Sequence, residues 1–134
     1  LVSGEHGTKS LAWVSVGDSR LYLSEGTNSL PEQITTDETA DDVPEDRLGS
    51  MLTNCLGWGK GSFRGVEHTG IIKVASGNRI ILCTDGITGD KGDELMFEAE
   101  IKELTDGLDA AQAAQSLVEN ARKNDDKTVI VVDL

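Results

Sequence analysis

"WVSVGDSRLYLSEG" (residues 13–26) contains two apolar runs separated by Gly-Asp-Ser-Arg. The runs "LAWVSV" (11–16) and "RLYLSE" (20–25) have the length and composition of strands. A link made of Gly17, Asp18 and Ser19 reads as the tip of an antiparallel hairpin. An acid and a base at such a tip raise the question of whether Asp18 does more than turn the chain. Taken alone, Asp between Gly and Ser is an ordinary turn residue.

Outward from this stretch the same grammar repeats. "VEHTGIIKVA" (66–75) and "NRIILCT" (78–84) flank Ser76-Gly77 and read as a second hairpin. "IILC" is continuously apolar, as expected of a strand covered on both faces, and "KTVIVVDL" (127–134) is another buried strand. The turn-rich segment 25–49 carries both prolines, with a short extended piece at "EQITT" (32–36). A short helix is expected within residues 45–57, followed by the glycine-rich loop "GWGKGSFRG" (57–65). The acidic, glycine-rich loop "DGITGDKGDEL" (85–95) comes after the second pair, and a short helix covers Phe97 to Leu104. In "LDAAQAAQSLVENARKN" (108–124), Ala110, Ala113, Ala114, Leu117, Val118 and Ala121 recur at helical spacing. Asp109 and Gln112 form a capping box there, and Asn124 is a candidate left-handed terminus. Helices falling between strand pairs indicate an α+β fold, with helices packed on antiparallel sheet.

The totals fit one domain over residues 1–134, large enough to bury roughly two thirds of its unfolded surface. Twenty-four acidic residues against 12 basic ones give a formal charge of −12. Such an excess repels phosphate backbones and anionic membrane surfaces, so neither nucleic acid nor membrane is an expected partner. No apolar run approaches the ~18 residues of a membrane span, and no leader pattern is visible. Cys55 and Cys83 are isolated, without a CxxC, which fits a reducing compartment and a cytoplasmic location. Cys83, inside "RIILCTDG", reads as a buried thiol. The chain opens on Leu1 rather than Met, which suggests a processed chain or a fragment.

Three acidic spots share a topological property: each sits where a strand begins or ends. Asp18 is at a turn, Asp85 directly follows "RIILCT", and Asp125-Asp126 precede "TVIVV". Acids at strand ends can converge on one rim of a sheet, and Mg²⁺ or Mn²⁺ takes a few such carboxylates plus water. Singly, each also has an ordinary role in a turn or loop. No nucleophile elbow or P-loop is present, and His6 and His68 read as surface residues.

The motifs "VSVGDSRLYL", "ITTDE", "LTNCLG", "GNRIILCTDGITG" and "AAQSLVENARKNDDKTVIVV" occur in that order. Together they resemble the type 2C metal-dependent Ser/Thr protein phosphatases, the PPM family. The resemblance implies part of an α-β-β-α sandwich, antiparallel sheets flanked by helices. It implies hydrolysis of phosphoserine or phosphothreonine in a protein substrate by water activated on two Mg²⁺ or Mn²⁺ ions. Carried over by position, Asp85 and Asp125 match the acids that bind the two catalytic metals. Asp18 matches the acid associated with a third, weaker ion shared with the Asp85 position, and Arg20 reads as structural.

Three positions depart from the family pattern. Glu38 stands where the family usually has His, Gly89 where an Asp often follows the DG loop (Asp90 is adjacent), and Asn78 where it has Asp. Residues 1–134 also contain no counterpart of the family's upstream phosphate-gripping Arg, its early acidic strand residue, or its DGxGGH segment. "SGEHGT" (3–8) is similar to the strand that follows that segment. The resemblance is therefore to the C-terminal part of the catalytic domain. Two readings stay open: a phosphatase portion completed by its upstream segment or a second copy, or a phosphatase-like module that binds or regulates without catalysis. Exposed sheet edges would invite such pairing. "GWGKGSFRG" with Trp58, and "TADDVPEDR" (39–47), are candidate substrate-facing loops.

Overall fold

Two kinds of apolar pattern sort the strands into two layers. In β2 (Lys9–Ser15) and β5 (His68–Val74) inward residues alternate with exposed ones, the signature of a sheet covered on one face. In β3 (Arg20–Ser24) and β6 (Arg79–Cys83) both faces are apolar, so these strands belong to a middle layer. The computed structural model describes residues 2–3, 9–26, 29–40, 52–57, 65–66, 68–89 and 95–134.

With β1 (Val2–Ser3), β4 (Glu32–Gln33) and β7 (Val129–Asp133), the strands form two antiparallel sheets, ordered β1-β2-β5 and β4-β3-β6-β7. The two expected hairpins are therefore corrected. β2 pairs with β5, through Trp13 opposite Gly70, while β3 pairs with β4 and β6. The Gly17–Ser19 and Ser76–Gly77 turns each carry the chain from one sheet to the other. Hairpin partners share both faces of a sheet, and strands that need covering on different numbers of faces cannot do so.

Leu21, Leu23, Val74 and Ile80 fill the space between the sheets, with Leu11, Trp13 and Ile72 against them. The other face of the middle sheet packs Tyr22, Ile81 and Cys83 against Ile87, Met96, Ile101, Leu117 and Ala121. These come from α1 (Asp85–Thr88), α2 (Glu98–Thr105), α3 (Ala110–Asn120) and the segments beside them. Among the described residues the result is an α+β sandwich with one helical layer beside the second sheet. On the outer face of the first sheet, Val14 and Ile71 are 63% and 75% exposed.

The capping box forms as read, with the Asp109 carboxylate accepting from the Gln112 amide at 2.8 Å and the Gln112 side chain accepting from Asp109 N–H at 3.2 Å. Ala113 and Leu117 are the inward face of α3; truncating Leu117 to Ala would cost about 3 kcal/mol. The helix ends at Asn120 with Ala121 extended, so Asn124 is not its terminus. Residues 52–57 form an isolated bridge, Thr39 to Leu52, and a turn rather than the end of a helix. The remainder of that expected helix, residues 41–47 of the acidic loop, Trp58 with residues 59–64, His6 and Asp90 lie outside the described residues. Among the described residues no helix is long and apolar enough to cross a membrane.

Candidate metal centre

Strand register gathers the three predicted acids at one end of the middle sheet. Arg20 pairs with Cys83 and Cys83 with Val129, so β3 begins, β6 ends and β7 begins at the same rim. Asp18 precedes the first, Asp85 follows the second, and Asp125 precedes the third.

The Asp85 and Asp125 loops are fastened to one another by backbone groups and the Thr84 hydroxyl. Thr84 N–H donates to Thr128 O at 3.1 Å, Thr128 N–H donates to Thr84 Oγ1 at 3.2 Å, and Thr84 Oγ1–H donates to Asp126 O at 3.3 Å. Gly86 follows from this approach: a Cβ there would lie 2.1 Å from Asp126 O. The glycine in "CTDG" is thus set by contact between the two acid-bearing loops.

The two carboxylates meet on one cation. Lys123 Nζ donates to Asp85 Oδ2 and lies 3.2 Å from Asp125 Oδ2. Asp125 Oδ1 accepts from Asp126 N–H at 2.8 Å. That amide, then the Lys123 ammonium, holds the Asp125 carboxyl below its ordinary range. Two hard oxygen donors on adjacent loops converge on one positive charge, and carboxylate oxygens are the donors Mg²⁺ and Mn²⁺ take, so this pair fits as part of such an ion's ligand set. Among the described residues, no three His, Cys, Asp or Glu side chains gather closely enough to hold a metal ion, so Asp18 does not join Asp85 and Asp125 in one cluster. Lys123 went unnoticed in the sequence; its signal is a cation two residues ahead of the Asp125-Asp126 pair.

The Asp18 turn has its own support, built around Glu38. Gly17, at φ 94°, donates its N–H to Glu38 Oε2 at 2.6 Å, and Glu38 N–H returns to Gly17 O at 3.0 Å. Asn54 Nδ2 donates to Glu38 Oε1 at 3.0 Å and to Gly65 O at 2.9 Å, and His68 Nε2 stands 3.9 Å from Glu38 Oε1. The "LTNCLG" segment therefore braces the turn through Asn54. Arg20 is structural as expected: its Nε and Nη2 grip Asp37 at 3.0 and 2.6 Å. Burial is the largest single influence and opposes the Arg20 charge, but the Asp37 hydrogen bond together with the Asp37 and Tyr22 charges outweighs it, and the net shift is upward. Burial pushes the Cys83 thiol up to about 12, which agrees with a packed rather than reactive cysteine. Beside this rim a groove of about 380 Å³ opens between the sheets, lined by Trp13, Leu21, Leu56, Leu82 and Ile130.

Two antiparallel sheets joined by crossing turns, with helices on one side, match the C-terminal part of the PPM-type serine/threonine phosphatases. The serine/threonine phosphatase PstP/Ppp of Mycobacterium tuberculosis superposes with a TM-score of 0.72 at 26% identity, over 93% of this chain and 55% of that one. The PstP catalytic domain in complex with two manganese ions gives 0.68 at 25% identity, over 99% and 55%. The Streptococcus agalactiae enzyme, at 17% identity, TM-score 0.68 and coverage of 91% and 52%, shares the fold. The chain thus spans about 55% of the length of PstP/Ppp. No protein-family model and no curated protein sequence matches it.

Proposed function

We propose that this chain contributes the Asp85–Asp125 part of a metal-dependent site that hydrolyses phosphoserine or phosphothreonine in proteins. The observation that carries this reading is the convergence of both carboxylates on one cationic nitrogen, in a fold shared with PstP/Ppp. Asp85 and Asp125 would hold Mg²⁺ or Mn²⁺, two ions in the full site, with Asp18 toward a third. When bound, such an ion supplies Lewis acidity that lowers the pKa of water and offsets phosphoryl charge. The chain's own residues do the rest of the holding. Thr84 and Thr128 fix the separation of the two acid loops, and Glu38 fixes the turn that carries Asp18. Catalysis on this reading needs a phosphate-gripping cation and further ligands that residues 1–134 do not contain, supplied by an upstream phosphatase segment or a second copy. Two unpaired cysteines support a reducing compartment such as the cytoplasm.

A second reading, a non-catalytic phosphatase-like module, is favoured by one observation. Lys123 already balances charge at the acids from within the chain. Hydrolysis of a phosphothreonine peptide with Mn²⁺ separates the two. The proposal expects turnover when an upstream phosphatase segment is supplied, abolished by Asp85→Asn. No turnover under that condition would favour the module. Turnover indifferent to Asp85→Asn would overturn the site assignment.

A further inference from the structure

We infer that the Lys123 ammonium is an internal counter-ion that competes with divalent cations for Asp85 and Asp125, so that this site loads metal only when Lys123 is displaced. The inference rests on the reading of these two acids as metal ligands and adds a control element to it.

The geometry is specific. After α3 the chain runs out extended, and successive side chains take different directions. Ala121 packs into the core, Arg122 pairs with Glu100 and donates to Leu95 O, and Lys123 turns to the rim. The Lys123 side chain is only 14% exposed, so it is seated rather than waving in solvent. It donates to the Oδ2 oxygen of one acid while lying within ion-pair distance of the Oδ2 of the other. Asp125 Oδ1 is already taken by the Asp126 amide. The ammonium therefore engages the Asp125 oxygen that the Asp126 amide does not take, together with one Asp85 oxygen, and both are hard donors of the kind a divalent cation takes. The neighbouring Lys127 is directed elsewhere, its ammonium donating to Ala121 O at 2.7 Å.

Charge arithmetic gives the direction. Two carboxylates with one lysine carry a net single negative charge; without the lysine they carry two, and divalent affinity rises with ligand charge. Each partly exposed ion pair is a modest interaction, and two of them together correspond to roughly tenfold in metal affinity.

The test is calorimetric titration of Mn²⁺ into the 134-residue chain, paired with thermal unfolding with and without Mn²⁺. Lys123→Met should bind Mn²⁺ about tenfold more tightly than the unmodified chain. It should also melt lower in chelator, because two carboxylates then face each other uncompensated, and gain more on metal addition. Lys123→Arg, which keeps the charge, should stay as weak as the original. Should Lys123→Met fail to fold by circular dichroism, Lys123→Gln keeps a hydrogen-bond donor on a shorter stem without the charge and carries the same expectation. Equal or weaker binding by the neutral variants, with binding still lost in Asp85→Asn, would overturn the counter-ion while sparing the metal site. No Asp85-dependent binding in any variant would overturn both.

Discussion

Replacing Glu38 should be among the most damaging changes outside the apolar core, and the structure says by how much. Its carboxylate is 6% exposed and accepts from Gly17 N–H at 2.6 Å and Asn54 Nδ2 at 3.0 Å. Glu38→Ala leaves both donors without that acceptor, and each buried unsatisfied donor costs about 1–3 kcal/mol. With the lost side-chain packing, a destabilisation of about 4 kcal/mol follows. Glu38→Gln keeps one acceptor oxygen but turns an amide NH₂ toward the other donor, for about 2 kcal/mol. Urea unfolding followed by circular dichroism reads this directly. At a slope of about 2 kcal/mol per molar, the midpoint should fall by about 2 M for Ala and about 1 M for Gln. Midpoints of both variants within about 0.2 M of the parent would refute the bracing of the Asp18 turn by this carboxylate.

Gly86→Ala forces the Asp85 and Asp125 loops apart, since its Cβ would lie 2.1 Å from Asp126 O; we expect a loss of about 2–4 kcal/mol in urea unfolding, with Gly77→Ala as a control for backbone conformation alone. In the native chain, thiol titration with an aromatic disulfide at pH 8 should modify Cys55 and spare Cys83, whose thiol burial holds at about 12; modification of both at equal rates would contradict the packing. Arg79 donates to Asp133, Thr105 O and Leu108 O, and it lowers the Asp133 carboxyl below its ordinary range. A depressed carboxylate contributes stability above its unfolded pKa and loses it as pH falls through the folded value. The gap in unfolding midpoint between the parent and Arg79→Met should therefore be full at pH 7 and narrow below about pH 4.

Much of this was legible in residues 11–26 and 77–89, and what was misread is instructive. Strand existence and the strand-end position of Asp18, Asp85 and Asp125 follow from apolar runs and the residues that interrupt them. Pairing did not follow, because a short glycine turn is compatible both with a hairpin and with a step between sheets. The alternation in "LAWVSV" against the unbroken "IILC" held the answer: a strand apolar on one face and one apolar on two belong to different layers. The capping box was legible because it is local. The end of α3 was not, because Ala121 is drawn into the core by tertiary packing rather than by any terminus signal. Glu38 was visible as a departure from a family pattern, but its partners lie 16 and 21 residues away and only the fold unites them. Lys123 was hidden for the same reason, since 38 residues separate it from Asp85.

On the proposed function, a divalent cation is held where the Asp85 and Asp125 loops touch. Paramagnetic broadening by substoichiometric Mn²⁺ in an amide-resolved NMR spectrum of the chain tests it most directly. The amides of Gly86 and Asp126 should disappear first, those of Gly77 and Leu108 at the opposite end of the sheet should persist, and Asp85→Asn should abolish the effect. Broadening centred elsewhere, or unchanged by Asp85→Asn, would contradict the proposal.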